Sequence, residues 1–149
     1  MKILANDGIA PIGKENLEKA GYEVITETVA QDDLIDAINE NNYVGLLVRS
    51  ATTVRENLID ACPRLKLIGR GGVGMDNIDV EYARKKGLKV INTPAASSQS
   101  VAEQVMAHLF GAARSIYDSN RHMPISGVSD FKRLKKKYGK GVELRNATL

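Results

Sequence analysis

Cysteine is nearly absent: Cys62 is the only one among 149 residues. That excludes a disulfide framework and a thiolate metal cluster. Its setting, Ala61-Cys62-Pro63 at the end of an expected helix, suits a thiol that packs as a small apolar group. Long hydrophobic runs are missing too, with none approaching the roughly 20 residues of a membrane span. The N-terminus, Met1-Lys2-Ile3-Leu4-Ala5-Asn6-Asp7, turns polar too early for a signal peptide. These absences point to a cytoplasmic protein with no membrane partner and no metal. Histidine is scarce. His108 falls on the polar face of a long expected helix and His122 at its end, and neither has a triad or metal partner at useful spacing. Acid is lacking between residues 131 and 141, where Lys132, Arg133, Lys135, Lys136, Lys137 and Lys140 gather. Only Phe131 and Tyr138 flank that run, too few for a base-stacking platform, so no nucleic-acid partner is expected. The net charge of +3 is therefore uneven, and without those six cations the chain is net negative.

What is present is an alternation of short branched apolar runs with helical patterns, the mark of βα units and a parallel sheet. Strands are expected at residues 2–5, 22–26, 44–48, 65–68 and 88–91. The run Val44-Gly45-Leu46-Leu47-Val48 has almost no polar interruption, so it belongs at the sheet centre. Helices are expected at 11–20, stopped by Gly21, and at about 32–41. A third follows a capping box, Thr53-Val54-Arg55-Glu56, and a fourth runs from Asp79 as cap to Lys86, with Gly87 beyond. Five strands in this order predict an α/β, flavodoxin-like, doubly wound sheet in a domain of residues 1–98. Residues 99–149 differ in character. A second capping box, Ser100-Val101-Ala102-Glu103, is expected to open one long helix to about Asn120. That helix carries two adjacent apolar stripes, Val101-Val105-Leu109-Ala112-Ile116 and Ala102-Met106-Phe110-Ala113-Tyr117. One surface stripe would be enough to sit on a single core, so this helix must bury more than one face. A Gly/Ser-containing linker, the basic segment and the approach to another strand at 141–149 complete the chain.

The stretch GRGGVGMDNID at 69–79 is the densest chemical signal. Four glycines in six positions can adopt positive φ and offer consecutive N–H groups to an anion. Gly69-x-Gly71-x-x-Gly74 matches the dinucleotide fingerprint letter by letter, but no helix is expected to start at Gly74 and no acid closes the next strand. In open α/β sheets ligands bind beyond the carboxyl ends of strands. Arg49-Ser50, the glycine stretch and Asn92-Thr93-Pro94 all fall there, supplying a guanidinium, a hydroxyl and backbone donors for a carboxylate or phosphate. A receiver-like signalling module shares the expected fold but requires an Asp where Arg49-Ser50 stand. A non-catalytic anion-binding module remains an alternative.

Together, Arg49-Ser-Ala-Thr-Thr-Val54, the stretch 68–79, Asn92-Thr93-Pro94 and Ser100-Val101-Ala102-Glu103 resemble the D-2-hydroxyacid dehydrogenase family along the whole chain. The Arg-Ser-Ala-Thr element and Arg70 resemble its D-3-phosphoglycerate dehydrogenase branch. The resemblance implies NAD as cofactor and a phosphorylated hydroxyacid as small-molecule substrate. It implies that Arg49, Ser50 and Arg70 address the anionic end of that substrate. Gly72 and Val73 then offer N–H groups to its carboxylate, and Val73 and Val101 lie near the nicotinamide. Where much of the family has Asn three residues before the helix-capping Ser, this chain has Ser97, a hydroxyl able to donate one hydrogen bond. The family's catalytic Arg, Glu and His, its cofactor acid and its true fingerprint are expected beyond Leu149. The chain therefore reads as a substrate-binding domain with a crossover helix into a truncated Rossmann domain, with no catalytic base of its own. A homodimer is expected through the long helix, with the basic segment near the partner's site.

Overall fold

The computed structural model describes residues 1–148; Leu149, the last residue of the expected strand approach, lies outside them. Two compact units divide the chain, residues 1–97 and the remainder from Ser98. The first contains five strands, β1 (Lys2–Ala5), β2 (Glu23–Ile25), β3 (Tyr43–Val48), β4 (Leu67–Arg70) and β5 (Lys89–Asn92). They form one all-parallel sheet in the order β2-β1-β3-β4-β5, the expected flavodoxin-like order. Four helices connect them: α1 (Pro11–Lys19), α2 (Leu34–Glu40), α3 (Glu56–Ala61) and α4 (Val80–Lys85). β3 is central, and Leu46 and Val48 are buried beside Leu4, Ile68, Leu34 and Ile38. Cys62 joins this core, and burial pushes its thiol up to about 11, so it is inert packing.

The glycine stops behave as the sequence predicts. After α1, Gly21 takes φ +88°, and the N–H groups of Gly21 and Tyr22 return to the carbonyls of Glu18 and Leu17. After α4, Gly87 and Leu88 repeat the pattern on Arg84 and Ala83. The capping boxes are not realised. Val54 pairs with Ile78 in a parallel bridge, which keeps residue 54 extended and delays α3 to Glu56. The carboxylate of Asp79, expected to cap its own helix, instead accepts from the Glu56 N–H at 3.0 Å and the Arg55 guanidinium at 2.8 Å. It thus caps α3 from across the turn. On the far side of α3, Asp60 accepts from Tyr82 Oη at 2.7 Å and pairs with Lys86 at 2.6 Å.

The second unit contains α5 (Ser98–Ala113), α6 (Ile116–Ser126) and α7 (Phe131–Tyr138). The single long helix of the sequence prediction is thus two helices. Ser115 adopts φ +51°, the left-handed region, and the Ala113 carbonyl released there accepts from Val142 N–H at 2.9 Å. α5 also starts two residues early, leaving Ser100 inside its first turn. α6 runs on to Ser126, into the expected linker, whose residues 127–130 form a turn. The expected charge run is the helix α7: Leu134 is buried while Lys135, Lys136 and Lys137 are exposed. His122 stacks on Tyr138 with ring centroids 6.1 Å apart, and His108 bonds Gln104. Among the described residues no strand forms after Asn92.

Candidate functional site

A cleft of about 930 Å³ opens at the carboxyl ends of the strands in the first unit. Its lining comes from residues 7–10 after β1, Leu47 to Arg49 on β3, residues 69–72, residues 91–93, and Ala96 and Ser97. Its lining combines apolar Ile9, Leu47 and Ile91 with polar Asp7, Arg49, Arg70 and Ser97.

The floor depends on β4 being longer than the sequence suggests. Gly69 and Arg70 are strand residues, with Gly69 between Leu47 of β3 and Ile91 of β5. A Cβ on Gly69 would stand 2.7 Å from Leu47 Cδ2, so the residue is glycine for close packing. None of the four glycines has positive φ, which corrects the expected curled cradle. The donors are exposed another way. The carbonyl of Gly72 accepts from Thr93 N–H at 3.1 Å, that of Val73 from Asn92 Nδ2 at 2.7 Å, and that of Gly74 from Arg70 Nη1. In a trans peptide the N–H points opposite to the carbonyl, so the N–H groups of Val73 and Gly74 face away from β5. Among the described residues neither meets an acceptor. The Gly72 N–H, by contrast, is already bonded to the Arg70 carbonyl at 3.0 Å.

The two arginines differ. Arg70 is 13% exposed, bonds the carbonyls of Arg49 and Gly74, and lies 3.9 Å from Asp76. A Cβ on Gly72 would press to 2.8 Å from its Nη1. Arg70 therefore shapes the loop. Arg49 is exposed, lines the cleft, and its guanidinium has no partner among the described residues. It is the free cation of the cleft.

Beneath Arg49 lies a polar network that sequence reasoning missed. Asp7 accepts from Arg49 N–H at 2.6 Å, Thr52 N–H at 3.1 Å and Thr52 Oγ1 at 2.5 Å. Burial raises the Asp7 carboxyl, but the Thr52 hydroxyl and the N–H groups of Arg49, Thr52 and Ala51 outweigh it and hold the group below its ordinary value. Buried Asn6 donates to Thr52 Oγ1 and to the Val29 carbonyl. Buried Asn77 donates to the carbonyls of Arg49 and Thr52, and its Oδ1 is left without a partner. The signal available was weak: a polar Asn6-Asp7 pair directly after a strand.

Of the residues expected to bind substrate, Arg49, Arg70, Gly72 and Ser97 line the cleft. Ser50 and Val73 do not, and Val73 is half-exposed on the loop. Val101 lies on α5 in the second unit. The glycine stretch 69–74 does not fit a dinucleotide pyrophosphate, since Gly69 lies in a strand and no helix opens at Gly74. Among the described residues no cluster of three His, Cys, Asp or Glu could hold a metal. No helix among the described residues is long and apolar enough to cross a membrane.

Residues 3–139 match the family described as D-isomer specific 2-hydroxyacid dehydrogenase, catalytic domain. A D-3-phosphoglycerate dehydrogenase of Methanocaldococcus jannaschii is 39% identical over the whole chain, which spans 27% of that relative. A hydroxypyruvate reductase of Thermotoga maritima is 44% identical over 110 residues, 71% of this chain and 35% of its own length. Among solved structures, NAD⁺-bound 3-phosphoglycerate dehydrogenase of Entamoeba histolytica superposes with a TM-score of 0.61 and 34% identity. That match covers 76% of this chain and 39% of the other. The chain thus spans about a third or less of these two curated relatives.

Proposed function

Because the chain belongs to the D-isomer specific 2-hydroxyacid dehydrogenase family, we propose that it forms the substrate-binding part of an NAD-dependent D-3-phosphoglycerate dehydrogenase. The product is 3-phosphohydroxypyruvate, an entry to serine biosynthesis, and the setting is the cytoplasm. The observation that carries this reading is the unpaired Arg49 guanidinium in a cleft at the carboxyl ends of the strands. The N–H groups of Val73 and Gly74, on the loop that continues from the cleft residue Gly72, have no acceptor among the described residues. Arg49 binds the phosphate, and Val73 N–H binds the carboxylate with Gly72 beside it. Ser97 donates to the substrate, while Ser50 and Arg70 assist at the anionic end. Val73 gives apolar surface to the nicotinamide.

The reaction moves a hydride from substrate C2 to the nicotinamide and the hydroxyl proton to a base. Asp7 is poorly suited to be that base, since its oxygens already accept from three donors, and those donors hold its carboxyl below its ordinary value and so weaken its hold on a proton. This chain's residues therefore bind and orient, and the 149 residues alone turn over no substrate. The uncovered apolar residues of α5 support a homodimer with that helix at the interface, and α7 supplies cations near the partner's site.

Titration of the chain with 3-phosphoglycerate, followed by amide resonances, tests the reading. Saturable shifts at Arg49, residues 72–74 and Ser97 are expected, with D-glycerate weaker by at least about tenfold, one charge-assisted contact. Equal affinity for both would overturn the phosphorylated substrate. Tighter binding of hydroxypyruvate would favour a dehydrogenase for another D-2-hydroxyacid, which the Thermotoga relative supports.

A further inference from the structure

Both polar main-chain atoms of Arg49 are held by side chains from elsewhere in the fold. Its N–H donates to Asp7 Oδ2 at 2.6 Å. Its carbonyl accepts from Asn77 Nδ2 at 2.8 Å and from Arg70 Nε at 3.3 Å. The same Asp7 carboxylate takes both donors of Thr52, and the same Asn77 amide takes the Thr52 carbonyl. The turn from Arg49 to Thr52 is thus gripped at both ends by Asp7 and Asn77, while the Arg49 guanidinium stays free. A long, rotamer-rich side chain gains directional binding only if its backbone is fixed, because ordering it on binding costs free energy.

We propose that Asp7 is a positioning residue of the anion site, acting with Asn77 through the main chain of Arg49 to aim its guanidinium into the cleft. The proposal rests on the reading of this cleft as the anion site. Asp7 itself lines the cleft and carries a negative charge, which by Coulomb's law alone opposes an anionic ligand. Two views of Asp7 therefore predict opposite signs. As a bare charge, its removal tightens anion binding; as a clamp on Arg49, its removal weakens it.

Asp7→Asn keeps the side chain's shape but removes the charge that strengthens the bonds from the Arg49 and Thr52 N–H groups, and it replaces the acceptor facing the Thr52 hydroxyl with a donor. Calorimetry with 3-phosphoglycerate, and separately with inorganic phosphate, should show a loss of about tenfold, as for one hydrogen bond to a charged group. In an Arg49→Ala background the same substitution should change affinity less than about twofold, because its effect passes through Arg49. Tighter binding, or an equal loss in both backgrounds, overturns the proposal. Amide hydrogen exchange supplies a readout without ligand: Asp7→Asn should speed exchange at Arg49 and Thr52 and leave Leu46 and Ile68 unchanged. Unchanged exchange at Arg49 also overturns it. If wild-type protein binds neither anion, the reading of the cleft fails, and exchange alone decides the clamp. Should Asp7→Asn fail to fold, Asn77→Ala releases the Arg49 carbonyl instead. It should then weaken anion binding in the wild-type background and leave the Arg49→Ala background unaffected, and an equal loss in both overturns the proposal.

Discussion

In residues 1–97 the sheet places Leu4, Leu46 and Ile68 in a closed core, whereas in the second unit Leu134 is the one apolar side chain fully buried among the described residues. There Val101, Val105, Met106, Phe110 and Ile116 stay uncovered. The first unit can fix a site on its own: five strands end at one edge, and side chains from several of them meet under Arg49. The second is a set of helices whose apolar faces exceed what the unit itself covers. On the reading proposed above, ligand geometry belongs to the first unit and assembly to the second.

Substitution of matched apolar residues should break or sharpen that contrast most strongly. Ile68→Ala leaves a cavity at the sheet centre and should cost about 2–5 kcal/mol, read as a fall in the denaturation midpoint. Phe110→Ala should change monomer stability by less than about 1 kcal/mol. It should instead shift sedimentation towards monomer. A large loss of monomer stability from Phe110→Ala would mean that the second unit holds a core of its own.

A smaller effect belongs to α7. In the full-length dehydrogenase proposed above, neutralising Lys135, Lys136 and Lys137 together should raise KM for 3-phosphoglycerate about fivefold at low salt, roughly 1 kcal/mol from exposed charges. It should also flatten the salt dependence. An unchanged KM at low salt would leave α7 a solvated face.

The smallest effect is on acid stability. The Asp7 carboxyl is held below its unfolded value of 3.8, so the stability it contributes is complete above that value. It disappears as pH falls through the lower, folded value. Asp7→Asn should therefore be less stable than wild type near neutrality, and the gap should close in acid. A gap that stays constant from about pH 6 to about pH 3 would remove Asp7 from the acid transition.

Strand order was legible because branched runs alternate with helices, and both glycine stops were legible because Gly21 and Gly87 directly follow helical patterns. The end of β4 was not, since Gly69 has the composition of a loop and its need for glycine lies in Leu47 on the next strand. Asp7 was missed for the same reason: its partners stand 42 and 45 residues away. The break at Ser115 carries no local signal, because an ordinary serine adopts the left-handed conformation there. α7 was hidden by its charge, although Phe131, Leu134 and Tyr138 recur at helical spacing. Arg49 was legible as a cation at a strand end. That Arg70 is tied into the loop was not.

The most direct measurement is the affinity of wild type and Arg49→Ala for 3-phosphoglycerate and for D-glycerate, side by side. The free guanidinium predicts a loss on the order of 2 kcal/mol, about thirtyfold, for the phosphorylated acid and a clearly smaller loss for the other. Equal losses for both acids would contradict it, moving Arg49 to the carboxylate or to the scaffold.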